Sequence, residues 1–130
     1  MRQATAADLP RLLDMGRKFY TAAKPEWPWS DDGFTGFIVQ LPFVSITDGG
    51  FLAGTKAPWP LNPAWIVAHE ILWWAEDGTG RQHMQAFRDW ASDANEIKWS
   101  CRADNDRVSR FYSRFASPSE AVFSEVRPCA

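Results

Sequence analysis

Three places in the sequence carry groups suited to bond-making chemistry, and each has an ordinary structural explanation beside it. Glu70 stands inside residues 64–75 (AWIVAHEILWWA), a run that is otherwise nearly apolar. A carboxylate there is costly unless it is paired, hydrated or protonated, and burial lifts its pKa toward that of a useful general base. The alternative is a carboxylate that faces solvent at a sheet edge or pairs with an arginine. His69 is adjacent, but strand alternation sends it to the opposite face. Gly78 and Gly80 flank Thr79 at a strand-to-helix junction. Glycines allow close backbone approach, and the unpaired N–H groups of a first helical turn can meet a phosphate. A tight turn needs the same residues. Tyr112 follows Asn105 by two helical turns, so the two share a helix face. Its phenol can donate a hydrogen bond to a leaving group, or it can be a core tyrosine with a satisfied hydroxyl.

The elements that would position these groups follow from periodicity and breakers. Residues 1–4 start a strand. Thr5 and Asp8 resemble a capping box, and Leu9, Leu12, Leu13, Gly16 and Phe19 recur at helical spacing, predicting a helix from Ala6 or Asp8 to Ala23. Pro10 fits only near its first turn. Residues 24–30 (KPEWPWS) form a loop. Its Trp27 and Trp29 either tuck inward or stand over a cleft, where they are candidates for binding substrate. Ser30, Asp31 or Asp32 caps a second helix that carries Phe34, Phe37, Ile38 and Leu41 inward, with Gly33 and Gly36 weakening it. A strand over 43–47, a turn at 48–50 and a strand over 51–56 make a hairpin. Residues 57–63 (APWPLNP) read as a loop, and 64–75 as a central strand covered on both faces. After the 76–80 turn comes a helix over 81–92 with Met84, Phe87, Trp90 and Ala91 inward. A strand over 96–101 follows, with Ile97 and Trp99 on one face. Asp104 or Asn105 caps a helix carrying Val108, Phe111, Tyr112 and Phe115, and residues 121–126 make a last strand. The order β-α-α-β-β-β-α-β-α-β is an α/β (α+β) pattern with a mixed sheet, whose strand-helix-strand unit after residue 64 is a parallel crossover.

The bulk numbers are consistent with this. One domain spanning 1–130 is expected from 130 residues, with 45% hydrophobic and 23% charged side chains. Eight Trp and nine Phe suffice for a compact core and leave aromatics to line a cleft. The net charge of −2 gives no electrostatic case for nucleic acid or a membrane surface. Arg102, Arg107, Arg110 and Arg114 form either a solvated helix face or a phosphate-binding patch. Cys101 and Cys129 lack metal spacing, so no metal is expected. No leader peptide and no apolar run of membrane-spanning length is evident, which points to a cytoplasmic protein. The aromatic-rich surface would suit a homodimer.

Taken in order, these residues resemble a known family, the GNAT (GCN5-related) N-acetyltransferases. Residues 2–10 (RQATAADLP) are similar to the family's first strand and helix start. Residues 70–74 (EILWW), leading to a glycine turn, resemble its fourth strand, especially that of the small acetyltransferases carried by tailed phages and prophages. Residues 86–91 (AFRDWA) resemble the end of its third helix, and 105–112 (NDRVSRFY) its N-x-x-A-x-x-x-Y helix. The resemblance spans nearly the whole chain. It implies a GNAT-type mixed, mostly antiparallel sheet flanked by helices. It also implies an acetyl-CoA-dependent transfer to an amine, small molecule or protein, by direct attack in a ternary complex. On this reading Glu70 is the base, and Tyr112 protonates the departing thiolate. Leu72, Trp73 and Trp74 pair with the pantetheine arm, while Gly78, Thr79, Gly80, Arg81 and Gln82 meet the pyrophosphate, with Asn105 also on the cofactor. The phosphate turn is shortened relative to the family, and Ala75 stands where Gln or Arg is usual. That departure points to the alternatives: a catalytically inactive module on the same fold that binds a partner, or a phage-related enzyme modifying a nucleobase or protein.

Overall fold

A computed structural model of the chain describes residues 1–128. The elements in chain order are β1 (Arg2–Gln3), α1 (Leu9–Ala23), α2 (Asp31–Ile38), β2 (Phe43–Thr47), β3 (Gly50–Trp59), β4 (Asn62–Ala75), α3 (Gly80–Trp90), β5 (Glu96–Lys98) and α4 (Asp106–Tyr112). The sheet runs β1-β2-β3-β4-β5; the first four strands are antiparallel neighbours, and β5 lies parallel to β4. The sheet is mixed, as the element order predicted, and mostly antiparallel, as the family resemblance implied.

Alternation along the strands feeds two cores, one on each face of the sheet. Val44, Ile46, Phe51 and Ala53 meet Leu12 and Met15 of α1 and Phe34 and Ile38 of α2. Phe43, Leu52 and Ala68 meet Phe87 of α3 and Ala91 beyond it. Each large side chain removed from water in this way stabilises the fold by roughly 1.5–3 kcal/mol. The helix starts are fixed by short polar side chains. The Asp8 carboxylate accepts the Thr5 N–H at 2.8 Å and two N–H groups of Arg2 at 2.6 and 2.7 Å. Pro10 falls in the first turn of α1. Ser30 Oγ accepts the Gly33 N–H at 2.9 Å and opens α2.

Five expectations are corrected. Residues 57–63 are not a loop: β3 and β4 pair through Trp59↔Asn62, with Pro58 beside a register shift. A proline that donates no hydrogen bond is tolerated at such an irregularity. Phe37 is 46% exposed, because α2 turns Phe34 and Ile38, one turn apart, to the core. The strand over 96–101 ends at Lys98. Of β4 only Ala68 and Glu70 are buried, because β5 leaves the sheet early and does not cover the rest. The last strand, 121–126, does not form: β5 presents three residues of edge, and Val122 and Phe123 stay 87% and 93% exposed with nothing to pack against. Cys129 lies outside the described residues.

Candidate active site

The site follows from how briefly two strands stay together. β4 and β5 pair at Val67↔Glu96, Ala68↔Ile97 and His69↔Lys98, and there the pairing stops. β4 continues to Ala75, so its backbone on this side has no strand partner from Glu70 onward. A bulge falls at the same point. Ala53 faces Leu72 and Gly54 faces Glu70, which leaves Ile71 as the extra residue. A bulge re-aims the side chains beyond it. Ala68 thus packs toward α3 while Leu72 and Trp74 pack toward α1 and α2, and Trp73 returns to the α3 side.

The wedge between the diverging strands is a groove of about 1140 Å³. One wall is Glu70, Ile71, Trp73, Trp74, Ala75 and Gly80. The other is Ser100–Arg102 with Asn105, Arg107, Phe111 and Tyr112, and the end of α1 closes one side through Phe19 and Lys24. The indole Nε1 of Trp74 is buried and has no acceptor among the described residues.

Glu70 and Tyr112 meet in this wedge. Glu70 is 3% exposed, and Tyr112 donates its phenolic O–H to Glu70 Oε1 at 2.9 Å and more weakly to the Ser100 carbonyl at 3.2 Å. Burial pushes the Glu70 carboxyl up to about 7, against the hydrogen bonds from Tyr112 and the Ser100 backbone, which pull it down. The Tyr112 hydroxyl is held well above its usual range by burial first and by the Glu70 charge second. Asn105 sets the helix that carries Tyr112, its Oδ1 accepting the Val108 N–H at 3.1 Å. Trp73, Trp99, Phe111 and Phe115 all have ring centroids within 6.3 Å of Tyr112 and fix the phenol in place. His69 points elsewhere, its Nε2 lying 3.0 Å from Ser100 Oγ.

The turn after β4 is built around a residue the sequence reading passed over. Gly78 has φ +79, a conformation that disfavours a side chain. Ahead of it, the Asp77 carboxylate accepts from the Thr47 hydroxyl (2.7 Å), the Gly49 N–H (2.9 Å), and both the N–H (3.2 Å) and the hydroxyl (2.5 Å) of Thr79. These bonds, led by the Thr79 hydroxyl, hold Asp77 far below the usual carboxylate range. Beneath lies His83, fully buried, with Nδ1 2.7 Å from Ser45 Oγ and Nε2 3.1 Å from Thr47 Oγ1. Burial pushes this imidazole down to about 4.

The candidate residues therefore divide. Glu70, Tyr112, Trp73, Trp74, Gly80 and Asn105 come together on one groove. Leu72 packs into the core on the α1 side. Gly78 and Thr79 form the turn, and Arg81 and Gln82 are exposed on the first turn of α3. Trp27 is 52% exposed and Trp29 packs on Phe34; neither lines the groove. Of the arginine set, Arg102 and Arg107 reach the groove and Arg110 and Arg114 face solvent. Ser45, Thr47, Asp77 and His83 were missed. Their signal was present: Ser45 and Thr47 share the face of β2 that carries Phe43, and His83 stands one turn before Phe87 on the buried stripe of α3. Among the described residues no cluster is arranged to hold a metal ion, and no helix is long and apolar enough to cross a membrane.

No protein-family model and no curated protein matches the sequence. Solved structures do match the fold over nearly all of both chains. The ribosomal-protein-alanine N-acetyltransferase from Brucella melitensis biovar Abortus 2308 superposes with a TM-score of 0.69 at 12% identity, covering 97% of each chain. The aminoglycoside N-acetyltransferase AAC(6')-Iy, bound to a bisubstrate analogue of CoA and acetylneamine, gives 0.71 at 15% identity, covering 98% of this chain and 97% of that one. A structure described as a transcriptional regulator from Bacillus halodurans C-125 gives 0.69 at 18%, covering 97% of each. The architecture is thus the one used by N-acetyltransferases, and one fold can serve several activities.

Proposed function

We propose that the protein transfers an acyl group from a pantetheine thioester, acetyl-CoA in the simplest case, to an amine. The observation that carries this reading is the direct hydrogen bond between Tyr112 and Glu70 at the point where β4 and β5 part. Glu70, poised at about 7, takes a proton from the incoming amine, through water where the acceptor stands off. The amine nitrogen bonds to the thioester carbonyl carbon, the C–S bond breaks, and the sulfur receives the Tyr112 proton. The Glu70–Tyr112 bond then returns the proton held on Glu70 to the phenolate, so both groups reset without a further proton source. The free backbone N–H groups of β4 near the Ile71 bulge lie on the groove wall and suit the developing oxyanion.

The residues present fit the donor's arm. Pantetheine is an extended chain carrying two amides, and an unpaired strand edge offers the complementary row of donors and acceptors. The fit at the α3 N-terminus is poorer, since Asp77 already stands there. The acceptor is an amine, small or macromolecular, entering opposite the donor.

The test is acetyl-dependent thiol release by the purified protein with a panel of primary amines, alongside calorimetric titration with acetyl-CoA and with CoA. Amine-dependent release that Glu70→Gln abolishes at pH 8 supports the reading. The absence of both, no binding at millimolar donor and no thiol release with any amine, would refute it. The second reading, a binding module on the same fold, would then be preferred.

A further inference from the structure

This inference rests on the thioester reading above and concerns which part of the donor the protein recognises. Counting protons around Asp77 gives its hydrogen bonds a direction. An ionised carboxylate only accepts, so the Thr47 and Thr79 hydroxyls each give it their single proton. Thr47 Oγ1 must then accept from His83, whose Nε2 carries the hydrogen, and Nδ1, left bare, accepts the Ser45 hydroxyl at 2.7 Å. The side-chain donors along the chain Ser45 to His83 to Thr47 to Asp77 are all spent, so none of them is left for another anion. The packing is as tight as the bonding. A Cβ on Gly50 would come within 2.8 Å of His83 Nε2, so only glycine lets the β2–β3 turn close over the ring. Next to Asp77, the Glu76 N–H donates to the Gly49 carbonyl at 2.9 Å, and its carboxylate is bound by Lys18 Nζ at 2.7 Å. Two carboxylates thus stand in the turn ahead of α3.

We propose that Asp77 is the anion of the α3 N-terminus, supplied by the chain itself, and that it makes the groove select its acyl donor by the pantetheine arm instead of the diphosphate. The positive end of a helix stabilises one negative group at close range, and a second one arriving beside the first meets repulsion. Arg81, one residue into α3, offsets only part of this. The donor end that matters is therefore the thioester and its two amides, lying along β4 at Ile71 to Ala75. Acetyl-CoA and the shorter S-acetylpantetheine should be used with kcat/KM values within about threefold of each other. Asp77→Asn should tighten coenzyme A about tenfold and leave S-acetylpantetheine unchanged, the size expected for removing one close like charge.

The deciding experiment is a titration of the whole protein followed by backbone-amide and indole NMR, with inorganic pyrophosphate in one arm and S-acetylpantetheine in the other. In the wild type, the Gly80, Arg81 and Gln82 amides should stay still under millimolar pyrophosphate while the Trp73 and Trp74 indoles move with S-acetylpantetheine. Saturable movement of those three amides at submillimolar pyrophosphate would overturn the assignment of Asp77 and leave the thioester reading standing. Indoles that do not respond to S-acetylpantetheine would overturn the thioester reading, and the donor selection with it. The wild-type measurement decides without any variant. Asp77→Ser, which keeps a side-chain acceptor for the Thr79 N–H, then shows whether removing the charge alone opens the terminus to pyrophosphate.

Discussion

Among the ionisable side chains the protein buries in polar company are Glu70 on β4 and His83 on α3, and their surroundings differ in one respect. Both are shielded from water, at 3% and 0% exposure, and in both burial penalises the charged form. His83 has both ring nitrogens engaged, is sealed under the β2–β3 turn and is held neutral. Glu70 has one oxygen on Tyr112 and sits on the wall of an open groove. Equal burial gives a locked joint where every hydrogen-bonding atom is used; under the proposed function it gives a reactive group where one side opens onto a groove.

The largest effect that would break this contrast is on turnover. Glu70→Gln should lower acyl transfer at pH 8 by about 10²–10⁴-fold, the usual share of a general base. The wild-type rate should rise with pH through about 7, as the carboxyl loses its proton, so the two profiles converge below that point. Parallel profiles at every pH would make Glu70 a structural residue. Next in size is Tyr112→Phe, expected to slow transfer about 10²-fold with the donor's affinity unchanged. It has a second signature. The Tyr112 hydrogen bond pulls Glu70 down, so its loss should move the midpoint of whatever activity remains upward from about 7. A midpoint that stays put would mean the bond is not made in solution.

Stability separates the two sites by sign. The folded pKa of Glu70 lies above its unfolded value of 4.5, so the native state binds more protons between 4.5 and about 7, and stability falls as pH rises through that window. The folded pKa of His83 lies below its unfolded value of 6.5, so the unfolded state binds more protons, and stability falls as pH drops from 6.5 toward about 4. Over their shared range the two oppose each other. Urea midpoints of Glu70→Gln should therefore expose the histidine slope, that of His83 together with His69, whose pKa burial also lowers, and those of His83→Gln should shift the balance toward the Glu70 slope. His83→Gln should also cost about 1–3 kcal/mol at pH 7, since one amide cannot satisfy both Ser45 and Thr47 in the ring's geometry. Slopes unchanged by either substitution would show that neither group is buried as described.

Much of this arrangement is legible in the sequence because it rests on local pattern. Glu70 announces itself as a carboxylate in an apolar strand, and Asn105 and Tyr112 by their helical spacing. What the sequence hides is long-range. β5 stops at Lys98, and that short pairing both opens the groove and leaves Ala121–Val126 without a partner edge. The Ile71 bulge shifts the face of Leu72, which period-two reasoning cannot anticipate and which takes that side chain off the groove. Asp77 reads as an ordinary turn residue, because two of the groups that fix it, Thr47 and Gly49, come from 30 and 28 residues upstream.

The smallest effect concerns that unpartnered segment. Val122 and Phe123 are 87% and 93% exposed, so replacing both with Ser removes almost no buried apolar area. The double substitution should change the unfolding free energy by less than about 0.5 kcal/mol, as for surface changes generally. The unfolding midpoint should also stay independent of protein concentration. A loss above about 1 kcal/mol that grows on concentrating the wild type would show these side chains covered by a second copy, whose edge would then complete the strand that one chain leaves unmade.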